Sequence, residues 1–173
     1  MVFRNLLMMS VAVFTLAACS SDEEANMDTS MTSGMEGGAV AGADGMGGAP
    51  INGVVPGTQQ DLVVNVGDRV FFAYDQSDLS PEARATLDRQ AAWLKQYPAV
   101  SITVEGHSDE RGTREYNLAL GERRAASVRS YMMSQGIDAA RVTTISYGKE
   151  RPAVPEASAA AWSQNRRSVT VVN

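Results

Sequence analysis

The sequence predicts one α/β domain, an α+β sandwich in which a mixed sheet carries its helices on one face. Three observations predict it. Short runs that alternate apolar and polar residues and favour Val, Ile and Thr recur after residue 61. Between them lie segments whose apolar residues return at helical spacing. The order is β-α-β-α-β-(α)-β, and right-handed βαβ crossovers put the two long helices on one side of the sheet.

The chain begins with a targeting pattern. Arg4 supplies a short positive region, Leu6 to Ala17 an apolar stretch, and small residues follow. That stretch falls short of the roughly 20 apolar residues that span a bilayer. Leu16-Ala-Ala-Cys19 resembles a bacterial lipobox, and Cys19 is the only cysteine, so no internal disulfide can form. Residues 1–19 therefore read as a lipoprotein signal peptide cleaved before Cys19. That cysteine would carry an N-acyl and an S-diacylglycerol group, more than the two signals that stable anchoring needs. Ser20, with no aspartate beside Cys19, is similar to sequences sent to the outer membrane. The expected location is the outer membrane, lipid-anchored, with the domain in the periplasm.

Residues 20–60 read as a disordered linker rich in Gly, Met and Ala, with six acidic residues and no Lys or Arg. The net charge of −5 divides cleanly: +1 from Arg4, −6 from this segment, and 14 basic against 14 acidic residues from 61 onward. Met27, Met31, Met35 and Met46 are spaced too irregularly for a Cu(I) tract. A flexible chain of this length reaches about 35 Å r.m.s.. Reach is its expected contribution.

Residues 61–173 read as the folded domain. Leu62–Val66 and Arg69–Tyr74 are strand-like, with Gly67-Asp68 as a hairpin turn between them. Ser80-Pro81 reads as N-cap and first position of a helix that carries Leu87, Ala91 and Leu94 on one face and stops before Pro98. A strand over 101–105 leads through a polar loop to a helix over 118–135, with Asn117 as its cap and Gly136 as its stop. Asp138 caps a single turn before a strand over 142–147. A loop with Pro152 and Pro155, a short helix around 157–164 and a last strand over 167–172 complete the chain.

The informative stretch is Val104 to Ala125. Leu120, Arg124, Val128 and Tyr131 share one helical stripe, and an arginine inside an apolar stripe needs an anionic partner. A helical side chain leans toward the N-terminus of its helix, so Arg124 points back toward the loop that holds Asp109. The pair has two readings. One is an internal salt bridge tying loop to helix; the other is a clamp for a zwitterion, with Asp109 on an ammonium and Arg124 forking a carboxylate.

The pattern Gly106-His107-Ser108-Asp109, Gly112, Asn117-x-x-Leu120-Gly121-x-x-Arg124-Ala125 resembles the family that shares the OmpA-like C-terminal domain. The longer runs Asp109–Thr113 and Ile145–Pro152, with Asn165-Arg-Arg167, are similar to its peptidoglycan-associated lipoproteins. The resemblance covers residues 68 to 173. It implies the OmpA-like fold, with Asp109 and Arg124 holding the amino and carboxyl groups at the tip of meso-diaminopimelate in a peptidoglycan stem peptide. It adds Tyr74 and Asp75 as pocket residues, Tyr standing for the more usual Phe, and Leu120 against the aliphatic part of the ligand. It further implies a tether between outer membrane and cell wall within the Tol–Pal system, which serves envelope integrity and cell division, with periplasmic TolB as a partner.

Other chemistries fit less well. His107-Ser108-Asp109 holds the residue types of a hydrolase triad, but adjacent residues cannot form that relay and no Gly-x-Ser-x-Gly elbow is present. Glu105, His107 and Asp109 make a poor metal set with one histidine and an intervening Gly106. His107 is simpler as a loop-anchoring hydrogen bonder. Arg111, Arg114, Arg123, Arg124 and Arg129 do not make a nucleic-acid surface on a neutral, exported domain. Arg166-Arg167 reads as a carboxylate-pairing element before the last strand, or as part of a protein interface. The expectation is a binding module with no catalytic residues, no metal and no cofactor beyond the lipid on Cys19.

Overall fold

The computed structural model describes residues 53–173. The expected signal peptide, Cys19 and residues 20–52 of the expected linker lie outside them. Four strands form one sheet in the order β1-β4-β2-β3. These are β1 (Arg69–Phe71), β2 (Ile102–His107), β3 (Val142–Gly148) and β4 (Arg167–Val172). The last strand sits between the first two, antiparallel to both, while β2 and β3 run parallel. The two long helices are α2 (Pro81–Gln96) and α3 (Arg114–Ser134); α1 (Gln59–Asp61) and α4 (Ala159–Asn165) are short.

Both long helices cover the same face. Leu87, Ala91 and Leu94 of α2 meet Ala125, Val128 and Met132 of α3 over Val70, Ile102, Val104 and Val142 of the sheet, all buried. The α2 start follows the expected chemistry: the Ser80 hydroxyl accepts from the Ala83 N–H, and Pro81 occupies the first turn. A buried polar bridge joins this helix to the central strand. Gln90 donates to the Gly67 carbonyl at 2.6 Å and accepts from the Thr170 hydroxyl at 2.9 Å.

The N-terminal part of the domain corrects the sequence reading. Leu62–Val66 is not a strand but a π-helical turn continuing α1, and Gly67 closes it with φ +94° rather than making a hairpin. Asp61 explains the choice. Its carboxylate, 8% exposed, accepts from Trp93 Nε1 at 2.8 Å, from the Gly57 N–H at 2.8 Å and from Asn65 at 2.8 Å. Burial alone would raise the Asp61 pKa; those bonds outweigh it and hold the pKa below its ordinary value. Gln59 also accepts from the Val172 N–H at 2.7 Å, so part of the expected linker belongs to the fold.

Two smaller corrections follow. Strand β1 ends at Phe71, not Tyr74, and the chain turns so that the Gln76 N–H donates to the Ala73 carbonyl. The N-cap of α3 is Thr113 rather than Asn117; its hydroxyl accepts from the Tyr116 N–H. Asn117, a full turn later, is buried and donates to the Arg111 carbonyl at 2.8 Å and the Thr113 carbonyl at 3.0 Å. It ties down the loop instead of starting the helix. Gly136 (φ +87°) and the Asp138 cap stand as expected.

Candidate functional site

The ends of β1 and β2, the start of α3 and the residue before β4 converge on one cavity of about 170 Å³. It lies beyond the carboxyl ends of parallel strands, where α/β sheets place ligands. Tyr74, Asp75, Asp109, Leu120 and Arg124, the five residues singled out in the sequence, all line it. Ser108, Arg111, Tyr116, Asn117 and Arg166 complete most of the wall.

The depth of the site depends on a close approach between helix and strand. A Cβ on Gly106 would stand 1.9 Å from the Gly121 carbonyl oxygen, and one on Gly121 would stand 2.3 Å from Ser146 Oγ. Two facing glycines therefore let α3 lie against β2, which brings Arg124 to the end of the strand. Leu120 is buried without joining the main core cluster. It is a wall of the cavity rather than a support of the core.

Arg124 has no exposed surface. It does not pair with Asp109. Its Nε donates to the Gln76 carbonyl at 2.8 Å, Nη1 to the His107 carbonyl at 2.8 Å and Nη2 to the Ala73 carbonyl at 3.2 Å. The guanidinium thus grips both sides of Tyr74-Asp75 and fastens them to the end of β2. Burial, with the neighbouring charge of Arg166, pulls its pKa down to about 10, against the opposing pull of Asp109 and Asp75. It remains a cation at neutral pH. The loop it holds is strained: Asp75 has φ +58°, the left-handed region that a residue with a Cβ seldom occupies. The Asp75 carboxylate accepts from the Tyr116 hydroxyl across the cavity mouth.

Asp109, 5% exposed, pairs with two other cations. Arg111 Nη2 lies 2.6 Å from its Oδ2 and Arg166 Nη1 3.3 Å from the same oxygen. Burial alone would raise the Asp109 pKa; the hydrogen bonds and charge of Arg111, with help from Arg166, outweigh it and hold the carboxyl below its usual range. Arg166 is accordingly the carboxylate-pairing element expected before the last strand. In the sequence Arg111 is only one of a set of basic residues. Its partner two residues back was visible there, but its aromatic neighbours were not.

His107 differs from expectation. Its ring nitrogens make no hydrogen bond, and it is the backbone carbonyl that anchors the loop, through Arg124. The ring packs 5.6 Å from Tyr147 and is not part of the cavity wall. Burial and the charges of Arg167 and Arg151 lower its pKa to about 4, so it is neutral at pH 7. Glu105 and His107 are neighbours at 3.4 Å while Asp109 faces the cavity. Among the described residues no group of three candidate ligands gathers for a metal.

Comparison with known proteins places the chain. Residues 71–166 match the model of the OmpA family. The chain belongs to the OmpA family. Within the family it is similar to the peptidoglycan-associated lipoprotein of Mesorhizobium japonicum, 47% identical over 171 residues, 98% of this chain and 93% of the relative. That of Agrobacterium fabrum is 58% identical over 132 residues, 76% of this chain and 73% of the other. Among solved structures, the peptidoglycan-associated lipoprotein from Burkholderia pseudomallei superposes with a TM-score of 0.60 at 39% identity, over 61% of this chain and 90% of that one. The C-terminal domain of Helicobacter pylori MotB, 21% identical with a TM-score of 0.58, shares the fold. Among the described residues of this OmpA-family chain, no helix is long and apolar enough to cross a membrane.

Proposed function

We propose that the domain binds peptidoglycan without cutting it, and that its ligand is the diaminopimelate tip of a stem peptide. The observation that carries this reading is the charge arrangement of the cavity. Two carboxylates, Asp109 and Asp75, and two enclosed guanidinium groups, Arg124 and Arg166, face one small space. A side chain that ends in both an ammonium and a carboxylate matches such a wall, each charge meeting its complement. Leu120 supplies an apolar surface for the methylenes between the two charges, and Tyr74 a ring at the mouth. The names of the relatives, peptidoglycan-associated lipoproteins, support peptidoglycan as the ligand.

On this reading, lipid on Cys19 holds the protein in the outer membrane and the periplasmic domain holds the wall, so the chain tethers one to the other. The family relationship supports a place in the Tol–Pal system, with TolB as partner and a contribution to envelope integrity and cell division.

Calorimetry with a stem peptide containing meso-diaminopimelate tests the reading. Charge-assisted hydrogen bonds contribute about 1.5–3 kcal/mol each. Amidating the side-chain carboxylate of the ligand should therefore weaken binding roughly tenfold or more; Asp109→Asn should weaken it too, with a lower melting temperature, because Arg111 and Arg166 lose the carboxylate they share. An amidated peptide that binds as well as the free acid would refute the charge match.

A further inference from the structure

Arg111 has no part in the clamp as described, yet its side chain is stacked and hydrogen-bonded at the mouth. Its guanidinium lies between two rings, with Cζ 4.2 Å from the centroid of Tyr74 and 4.2 Å from that of Trp162. Its edge meets Asp109: Nε to Oδ1 at 3.1 Å and Nη2 to Oδ2 at 2.6 Å. The Arg111 backbone N–H also donates to Oδ1 at 3.2 Å, and Arg166 Nη1 donates to Oδ2 at 3.3 Å. A carboxylate offers about four acceptor positions. These donors fill them.

A ligand ammonium can therefore reach Asp109 only by displacing one of the two guanidinium groups. Arg166 is the harder to move. Its side chain is 16% exposed against 34% for Arg111, and its Nε is bound to the Phe72 carbonyl at 3.0 Å. The Arg111 side chain hydrogen-bonds to nothing but Asp109. We propose that Arg111 is an affinity-setting residue: a resident cation on the ammonium half of the clamp, which the ligand's own ammonium must expel. This rests on the zwitterion reading above and deepens it.

Two consequences follow from the exchange. In the empty protein Asp109 keeps two cationic partners, so the buried carboxylate is never left underpaired. During binding one cation replaces another on Asp109, so a ligand with an ammonium loses little there. A ligand with a carboxylate alone leaves Arg111 in place and gains nothing from Asp109. The internal competitor thus lowers the apparent affinity for ammonium-bearing ligands by the fraction of time the latch is shut, and leaves carboxylate-only ligands unaffected.

The test uses the full-length protein as wild type, Arg111→Gln and Arg111→Lys. Each is titrated with the diaminopimelate stem peptide and with the same peptide acetylated on its side-chain ammonium. Arg111→Gln should bind the free peptide about three- to tenfold tighter than wild type, because the competitor is gone. It should bind the acetylated peptide no tighter. Arg111→Lys, which keeps the charge but loses the planar fork and stack, should fall between. Trp162 gives a second readout, since the only other tryptophan, Trp93, is buried in the core. Its emission should change when peptide binds the wild type and stay constant in Arg111→Gln. Equal or weaker binding of free peptide by both variants, or no emission change in the wild type, overturns the proposal. A wild type that fails to bind the free peptide at all overturns the clamp itself, and this proposal with it.

Discussion

Replacing Arg124 by alanine removes a buried cation and its three hydrogen bonds to backbone carbonyls at once, those of Ala73, Gln76 and His107. Three charge-assisted bonds at about 1.5–3 kcal/mol each amount to roughly 5–9 kcal/mol. Against that stands relief from the net unfavourable surroundings of the charge, burial and Arg166 set against Asp109 and Asp75. A pKa drawn down to about 10 from 12.5 corresponds, at 1.36 kcal/mol per unit, to roughly 3 kcal/mol. The expected net loss is about 4 kcal/mol, or a melting temperature lower by roughly 10–15 °C for a domain of this size. Arg124→Lys should fall between, since one ammonium cannot reach three carbonyls that the planar fork spans. Urea unfolding and calorimetry measure the loss, and hydrogen exchange should show Ala73–Gln76 released first. An Arg124→Ala domain within about 1 kcal/mol of wild type would refute the staple. The same arithmetic implies that affinity lost in Arg124→Ala mixes a missing ligand contact with a freed Tyr74-Asp75 loop. Amidating the ligand, which leaves the protein intact, is the cleaner probe of the clamp.

Two further predictions concern the scaffold. Gly106→Ala places a methyl 1.9 Å from the Gly121 carbonyl oxygen, backbone against backbone, so α3 must back away from β2. A loss of roughly 3 kcal/mol or more is expected in urea unfolding, and a change below about 1 kcal/mol would contradict the close packing. His107 supplies a pH dependence. Its folded pKa of about 4 lies below the ordinary 6.5, so the unfolded chain binds the extra proton between those values and stability falls as pH drops through that window. Between pH 7 and 5 this group should remove about 2 kcal/mol, and His107→Phe should flatten that part of the profile. An unchanged slope in the variant would show that the charge change lies elsewhere.

Much of the fold is written in local chemistry. Ser80-Pro81, Gly136 and Asp138 act on groups within a few residues, so their roles could be read along the chain and the structure places them as read. The two long helices were legible for the same reason, since apolar spacing is a property of one segment. Leu62–Val66 was not. Its valines favour a strand, and only the grip of Trp93, 32 residues beyond Asp61, with a burial site for Leu62, holds the segment helical. Asn117 shows a different limit. An asparagine can cap a helix or tie down a loop with the same atoms, and the choice rests on which carbonyls the fold brings near.

The site divides along the same line. That Asp109 and Arg124 face one space followed from a loop entering a helix and from the backward lean of helical side chains. Which charges pair did not. Sequence left a direct Asp109–Arg124 bridge open; the fold instead carries Arg166 across 57 positions to Asp109 and leaves Arg124 to three carbonyls from two strand ends. Charge attraction acts through space at a few ångströms, so any cation delivered there can take the carboxylate, and delivery is decided by strand order. Because β4 inserts between β1 and β2, the residue before it arrives at the mouth of the cavity. Residue types and local spacing determined which chemistry this chain holds; the tertiary structure alone decided which partners meet.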